Sequence, residues 1–437
     1  MSRKNFKLFL IILIISCLNL TLNNNIEGRE ETKYESLLNN TTTPISNNSK
    51  KIILMIGDGM GFEHLKLASW VELGKNDNLS IEELPFKKDV ITSNIDNGIT
   101  DSAAAATAIA TGYKTKNGFL SMLPSYKSVK TILEISREMG KSTGVISKTE
   151  ITQATPAAFI THVSSRNDIS TIAHQIVEEC NVEVLIGGGS NDFSMSQIEQ
   201  MESNGYNIVR NITELQNIDT GKLFGLFASS SLPYEIDRDL NVTPSLAEMT
   251  EKAIEILSEN PEGFFLIIEG GKIDHAAHSN NKVNVALETI DFYYAIKVAL
   301  SFINSNENSL LIITADHETG GLDVLNDTLN DELPSINKTS KENENLRIAR
   351  ANNISISWST TGHTNRTVPF YASSLASNKF ENLTTIDNTD IFEIMLNYID
   401  LNEKKSSNFG LIIGISIGAV IISSVVLFII IKKRKRI

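Results

Sequence analysis

Two cysteines in 437 residues leave no basis for a disulfide scaffold or a cysteine-rich zinc module. Proline is scarce as well, nine residues beside 25 glycines, which excludes a collagen-like chain. Basic residues are in deficit: 39 Lys and Arg face 52 Asp and Glu, a formal charge of −13. A nucleic-acid binder needs a basic footprint, so no nucleic-acid scaffold role is expected. Aromatics supply only 7% of the chain, yet 41% is hydrophobic, which rules out a wholly disordered polymer. The length suffices for one large core or two ordinary domains.

What basic charge there is gathers partly at the ends. Arg3, Lys4 and Lys7 precede an apolar run over 8–18, so residues 1–22 read as a signal peptide or an N-terminal hydrophobic anchor. Ile14-Ile15-Ser16-Cys17 also has the shape of a lipoprotein box, and no Ala-x-Ala site follows it. Residues 409–431 are free of charge, long enough for a transmembrane helix, and run directly into Lys432-Lys433-Arg434-Lys435-Arg436. The expectation is a single-pass protein of the cell membrane, with 432–437 as a basic cytoplasmic tail and the body extracellular or lumenal. Without the eight basic residues of these two ends, 31 basic face 52 acidic residues, so the body carries −21. Such a surface suits metal cations and does nothing to draw anionic substrates from a distance. Export would also make sequons such as Asn211, Asn241 and Asn382 possible glycosylation acceptors.

Residues 23–49 form a flexible polar lead and 402–408 a short stalk. Between them, 50–401 alternates apolar strands with amphipathic helices. The pattern predicts strands over Lys51–Ile56, Thr143–Ile146, Val182–Ile186, Gly263–Ile268 and Leu310–Thr314. It predicts helices over Lys130–Met139, Ile169–Glu179, Pro244–Leu257 and Ala286–Ile303. Continuous apolar strands separated by helices indicate an α/β fold around a mostly parallel sheet covered on both faces. Residues 322–358 are largely polar and read as a small insertion.

Ligands bind such sheets beyond the carboxyl ends of the strands, and the chemistry sits there. Ile52–Ile56 runs into Gly57-Asp58-Gly59-Met60-Gly61, which fits neither a dinucleotide fingerprint nor a Walker loop. The strand before Glu269 leads to Asp274-x-x-x-His278, a spacing that puts both side chains on one helix face. The next runs into Asp316-His317, and His363 follows in Thr361-Gly362-His363-Thr364. Carboxylates and neutral imidazoles suit zinc, and these motifs supply ligands for two metals, a clamp for phosphoryl or sulfuryl transfer. Asp101-Ser102 opens an Ala-rich helix whose free N–H groups could seat a phosphate; a helix cap explains the same residues equally well.

Taken together, Asp58-Gly59-Met60-Gly61, Asp101-Ser102-Ala103-Ala104-Ala105, Ala154-Thr155-Pro156-Ala157-Ala158 with Ser165-Arg166, Glu269-Gly270-Gly271 with Asp274 and His278, Asp316-His317, and His363 resemble the successive signatures of the alkaline phosphatases. The resemblance runs in order from about residue 50 to 372. It implies a three-layer α/β/α sandwich and hydrolysis of phosphate monoesters, with a broad leaving-group range, through a phosphoserine on Ser102. It also implies a first zinc on Asp274, His278 and His363, which supplies the later attacking hydroxide, and a second zinc on Asp58, Asp316 and His317. A magnesium on Asp58, Thr155 and Glu269, a phosphate clamp from Arg166 and a possible homodimer complete the family pattern. One position departs from it: Gln153 stands where members carry an acid or a histidine that supports the third metal. His275 beside Asp274 matches a His-bearing branch. The competing readings are a two-metal phosphodiesterase or sulfatase and an inactive surface-anchored interaction module. A sulfatase would need Cys/Ser-x-Pro-x-Arg, and Ser102 is followed by alanines.

Overall fold

Runs of Ile, Leu, Val and Phe too continuous to face water on either side form the middle of a ten-stranded sheet. The computed structural model describes residues 49–74, 78–325 and 341–399. The proposed leader, stalk, membrane span and tail lie outside the described residues, among which no helix is long and apolar enough to cross a membrane.

In chain order the strands are β1 (Lys51–Ile56), β2 (Phe86–Ile91), β3 (Ser142–Glu150), β4 (Val184–Gly188), β5 (Tyr206–Val209), β6 (Lys222–Leu226), β7 (Phe264–Glu269) and β8 (Ser309–Thr314). Short strands follow: β9 (Glu318–Thr319), β10 (Asp323–Val324), β11 (Ile356–Ser357), β12 (His363–Thr364), β13 (Val368–Ala372) and β14 (Thr385–Asp387). The large sheet runs β14-β2-β13-β8-β1-β7-β3-β4-β6-β5. Its pairs are parallel except those of β13 with β2 and β8. The five predicted strands are β1, β3, β4, β7 and β8. The patterning did not reveal β2, whose Phe86–Ile91 alternates between buried and solvent-facing residues, or the short strands near the edges.

Register aligns the chemistry. Thr314, Ile56, Glu269 and Ser147 face one another across the four central strands β8, β1, β7 and β3. Asp58 and Asp316 each lie two residues beyond that line, so adjacent parallel strands deliver them together.

Strand alternation also sends Lys148 to the face opposite Ser147 and Thr149. There its buried ammonium lies 2.8 Å from both Glu288 and Asp291 of the helix Lys282–Ser305. Three carboxylates, with Glu235, raise its pKa against the opposing effect of burial. β10 and β11 pair to close the neck of the polar insertion. The insertion carries a helix, Lys341–Asn353, which its polar composition concealed; Arg347 docks it by a two-pronged bond to buried Glu72.

Candidate active site

Two clusters form beyond the central strands. In the first, Asp274 and His278 share a face of the helix Lys272–His278, which begins as soon as β7 ends. His363 joins them from β12, which pairs with β9 just after β8. His278 Nε2 lies 3.3 Å from Asp274 Oδ2 and 3.2 Å from His363 Nε2. The second cluster is Asp58, Asp316 and His317, with His317 Nε2 at 3.4 Å from Asp58 Oδ1 and 3.2 Å from Asp316 Oδ2.

The outer nitrogen of each imidazole is engaged: His278 Nδ1 with Thr361 O, His363 Nδ1 with Thr100 O, His317 Nδ1 with Thr319 Oγ1. A carbonyl can only accept, so Nδ1 of His278 and of His363 carries a proton, and Nε2 is the atom that each turns to the cluster. Asp316 Oδ1 accepts from the backbone N–H of Gly59 and of His317, which leaves Oδ2 for the cluster. Asp58 Oδ1 and Asp316 Oδ2 are buried with no hydrogen-bond donor. Buried carboxylates require protons, donors or a metal, and convergent imidazoles beside carboxylates fit divalent metal ions at both clusters.

The electrostatics agree. Burial, then the charges of Asp316, Asp274 and Glu269, raise Asp58 well above the usual carboxylate value. Burial likewise pushes Glu269 up to about 7, against hydrogen bonds from Ser147 and Thr149. Burial would raise Asp274 too, but the His278 hydrogen bond and the charges of His317 and His278 hold it below the ordinary range. His278 rises to about 9, chiefly through its bond to Asp274, while burial lowers His317.

Ser102 begins the helix Ser102–Thr111, and the competing cap role belongs to Asp101, whose side chain accepts from Ala104 N at 2.9 Å. Relieved of capping, Ser102 Oγ lies 3.2 Å from His317 Nε2. Arg166 reaches the same helix start, its guanidinium 3.3 Å from Asp101 Oδ2, and its backbone N–H donates to Gly118 O at 2.7 Å. Asp101 also accepts from Gly118 N, so one carboxylate joins cap, loop and guanidinium.

Glu269 ends β7 beside Asp58, with Ser147 and Thr149 donating to its Oε2. Thr155 is buried near Glu269, and its hydroxyl makes no well-aligned hydrogen bond. These oxygens suit a further hard cation. Gln153 turns its amide to Glu150 at 3.1 Å, and Ser231 donates to the same carboxylate oxygen. His275 is half-buried and feels the charge of Glu150.

Sequence reasoning missed Asp101 as the partner of Arg166, the pair Ser147 and Thr149, and Glu318 with Thr319. Only the i,i+2 spacing of Ser147 and Thr149 was a usable signal, since it places both on one strand face. Of the other histidines, His64 sits in the first turn of Phe62–Leu73, where its Nδ1 accepts from Gly61 N. His174 is exposed, and His162 bridges Ser121 O and Glu134. Trp358 packs on Gly320. A cavity of about 790 Å³ between Leu246–Leu257 and Lys282–Ser305 contains none of the candidate residues.

Comparison with known proteins points one way. The sequence model of the family described as alkaline phosphatase matches residues 49–342. Alkaline phosphatase 3 of Bacillus subtilis (strain 168) is 31% identical over 423 residues, covering 81% of this chain and 91% of that protein. The cold-active alkaline phosphatase of a psychrophilic Shewanella superposes with a TM-score of 0.69 at 28% identity, over 80% of this chain and 100% of its own. A His-to-Asp mutant of the TAB5 alkaline phosphatase, solved with Mg bound in its M3 site, gives 0.65 at 27% identity over 80% and 98%.

Proposed function

The chain belongs to the alkaline phosphatase family and hydrolyses phosphate monoesters, and on that premise we propose how its own residues do so. One contact supports the reading above all: Ser102 Oγ, at a helix start, lies 3.2 Å from an imidazole nitrogen flanked by two carboxylate oxygens without donors, Asp58 Oδ1 and Asp316 Oδ2.

Asp274, His278 and His363 would hold a first zinc, and Asp58, Asp316 and His317 a second. The all-oxygen set of Asp58, Thr155 and Glu269 would suit magnesium. When bound, the zinc pair would lower the pKa of the serine hydroxyl and of a water and offset the charge of the phosphate. Ser102 Oγ attacks phosphorus as the bond to the leaving oxygen breaks, giving an alcohol and a phosphoserine. The free N–H groups of the first helical turn receive the phosphate. Arg166 lays its planar fork across two phosphate oxygens, and Asp101, which caps the helix that Ser102 begins, keeps that fork beside the nucleophile. Water then attacks the phosphoserine, the serine–phosphorus bond breaks, and Ser102 regains its proton as phosphate departs. Nothing in this constellation grips the leaving group, which favours a broad substrate range. Gln153, committed to Glu150, brings no charge to the magnesium set.

The same reading takes 50–401 as the catalytic domain in the family's three-layer form, with 322–358 inserted, as one subunit of a homodimer. It takes 409–431 as the membrane tether, with the enzyme outside the cell or in a lumen and the sequons open to glycosylation.

The test uses the full-length chain. Ser102→Ala is expected to lower monoester turnover about a thousandfold or more. Acid quenching with labelled phosphate should mark the parent protein and leave the variant unmarked; equal labelling overturns the nucleophile. Faster cleavage of diesters than of monoesters overturns the reaction class. External protease on intact cells should release active enzyme, and activity that stays cell-bound counts against the tether.

A further inference from the structure

We propose that Thr319 is a positioning residue whose single hydroxyl locks the two metal clusters into one unit; this rests on the metal reading above. Thr319 is fully buried. Its Oγ1 donates to Asp274 Oδ1 at 2.6 Å and lies 3.2 Å from His317 Nδ1. Asp274 belongs to the first cluster and His317 to the second.

A hydroxyl has one proton. A carboxylate cannot donate, so that proton goes to Asp274, and the contact with His317 must be Nδ1–H donating to the threonine oxygen. The consequence travels both ways. On His317 the proton is fixed at Nδ1, which bares Nε2 toward Ser102, Asp58 and Asp316. On Asp274 one oxygen is engaged, which turns Oδ2 toward His278. Outer partners of this kind orient ligands and tune their basicity. Here one atom does so for both clusters.

The backbone holds that atom in place. In the pairing of β9 with β12, Thr319 stands opposite His363, the third ligand of the first cluster. Its N–H donates to Gly59 O at 3.0 Å, next to Asp58. Gly59 has φ +71°, and a Cβ there would come within 2.8 Å of Asp274 Oδ1 and 2.9 Å of Thr319 Oγ1. Glycine at this position therefore leaves room for the hydroxyl bridge. Glu318, beside it, accepts from Leu322 N and Thr364 Oγ1 and pins both sides of the strand pair.

Thr319→Val keeps the shape and removes the bridge, while Thr319→Ser restores the hydroxyl. Metal-free full-length chains are titrated with zinc against a chromophoric chelator, and with Co²⁺, whose visible bands report each ligand set. The Val variant should bind both zinc ions about 10- to 100-fold more weakly with both cobalt spectra altered, and Ser should return both toward the parent. Unchanged affinity in Val, weakening of one ion alone, or a Ser variant no better than Val overturns the coupling. A parent that takes up no pair of ions overturns the metal reading and the coupling with it. A parent that takes up two ions and a Val variant that matches it overturn the coupling alone. Should Val fail to fold, Thr319→Ala is titrated in its place against the same outcomes.

Discussion

The two clusters share ligand chemistry and differ in how water reaches them. Asp58, Asp316 and His317 lie behind the sheet edge, their side chains at most 10% exposed, and all three follow strands that pair with each other. In the other cluster the His278 side chain is 39% exposed, and the residues come from a seven-residue helix and a two-residue strand. The closed cluster is the one that touches Ser102. The open one already meets solvent at His278. Strand ends hold the cluster that meets Ser102, which itself opens a helix, and solvent already contacts the other cluster.

Ligand deletion probes that contrast most strongly. Asp316→Asn should remove an ion from the closed cluster and cost about a thousandfold in turnover, whereas His278→Asn should cost about a hundredfold and recover in excess zinc. Equal losses without recovery would erase the distinction. Metal removal comes next. A chelator should strip the protein in two phases, the open cluster emptying at least about tenfold faster because water and chelator reach it directly; a single phase in metal content would contradict this.

Arg166 sharpens the comparison from the substrate side, since it belongs to neither cluster. Arg166→Ala should weaken inhibition by inorganic phosphate about tenfold or more, and Arg166→Lys less, because lysine keeps the charge and loses the fork. An unchanged inhibition constant in Arg166→Ala would remove the residue from the site.

The smallest effect lies away from both clusters, at His162 and Glu134. Burial opposes both charges, yet their mutual hydrogen bond and attraction raise His162 above its ordinary 6.5 and hold Glu134 below 4.5. The raised histidine stabilises the fold below pH 6.5 and loses that contribution as pH climbs through its folded pKa; the lowered carboxylate loses its share as pH falls through its own. His162→Gln should therefore lower the melting temperature by about 1–2 °C at pH 6 and hardly at all at pH 9. The reverse order would mean the pair is not an ion pair.

Most residues of the two clusters could be read from sequence because they follow apolar strands within a few residues, where a parallel sheet gathers its loops. Asp274 and His278 needed only helical spacing, and Asp316 and His317 are neighbours. What escaped depended on contacts between distant segments. Asp101 meets Arg166 across 65 residues and Thr319 meets Asp274 across 45. No local pattern encodes either pairing, and a threonine after a metal motif looks like any strand residue. β2 and β14 were hidden for another reason: the one is half-exposed and the other spans three residues, so their apolar signal is weak.

The sheet order has a consequence for how this enzyme can change over generations. The strands that carry its chemistry occupy the fourth to seventh of ten places, so either margin lies three strand spacings, about 14 Å, from the nearest of them. Substitutions, insertions and new loops along β14 or β5 can accumulate without moving a ligand. The lineage is free to alter its rim, its partners and its surroundings while the centre that cleaves phosphate passes on intact.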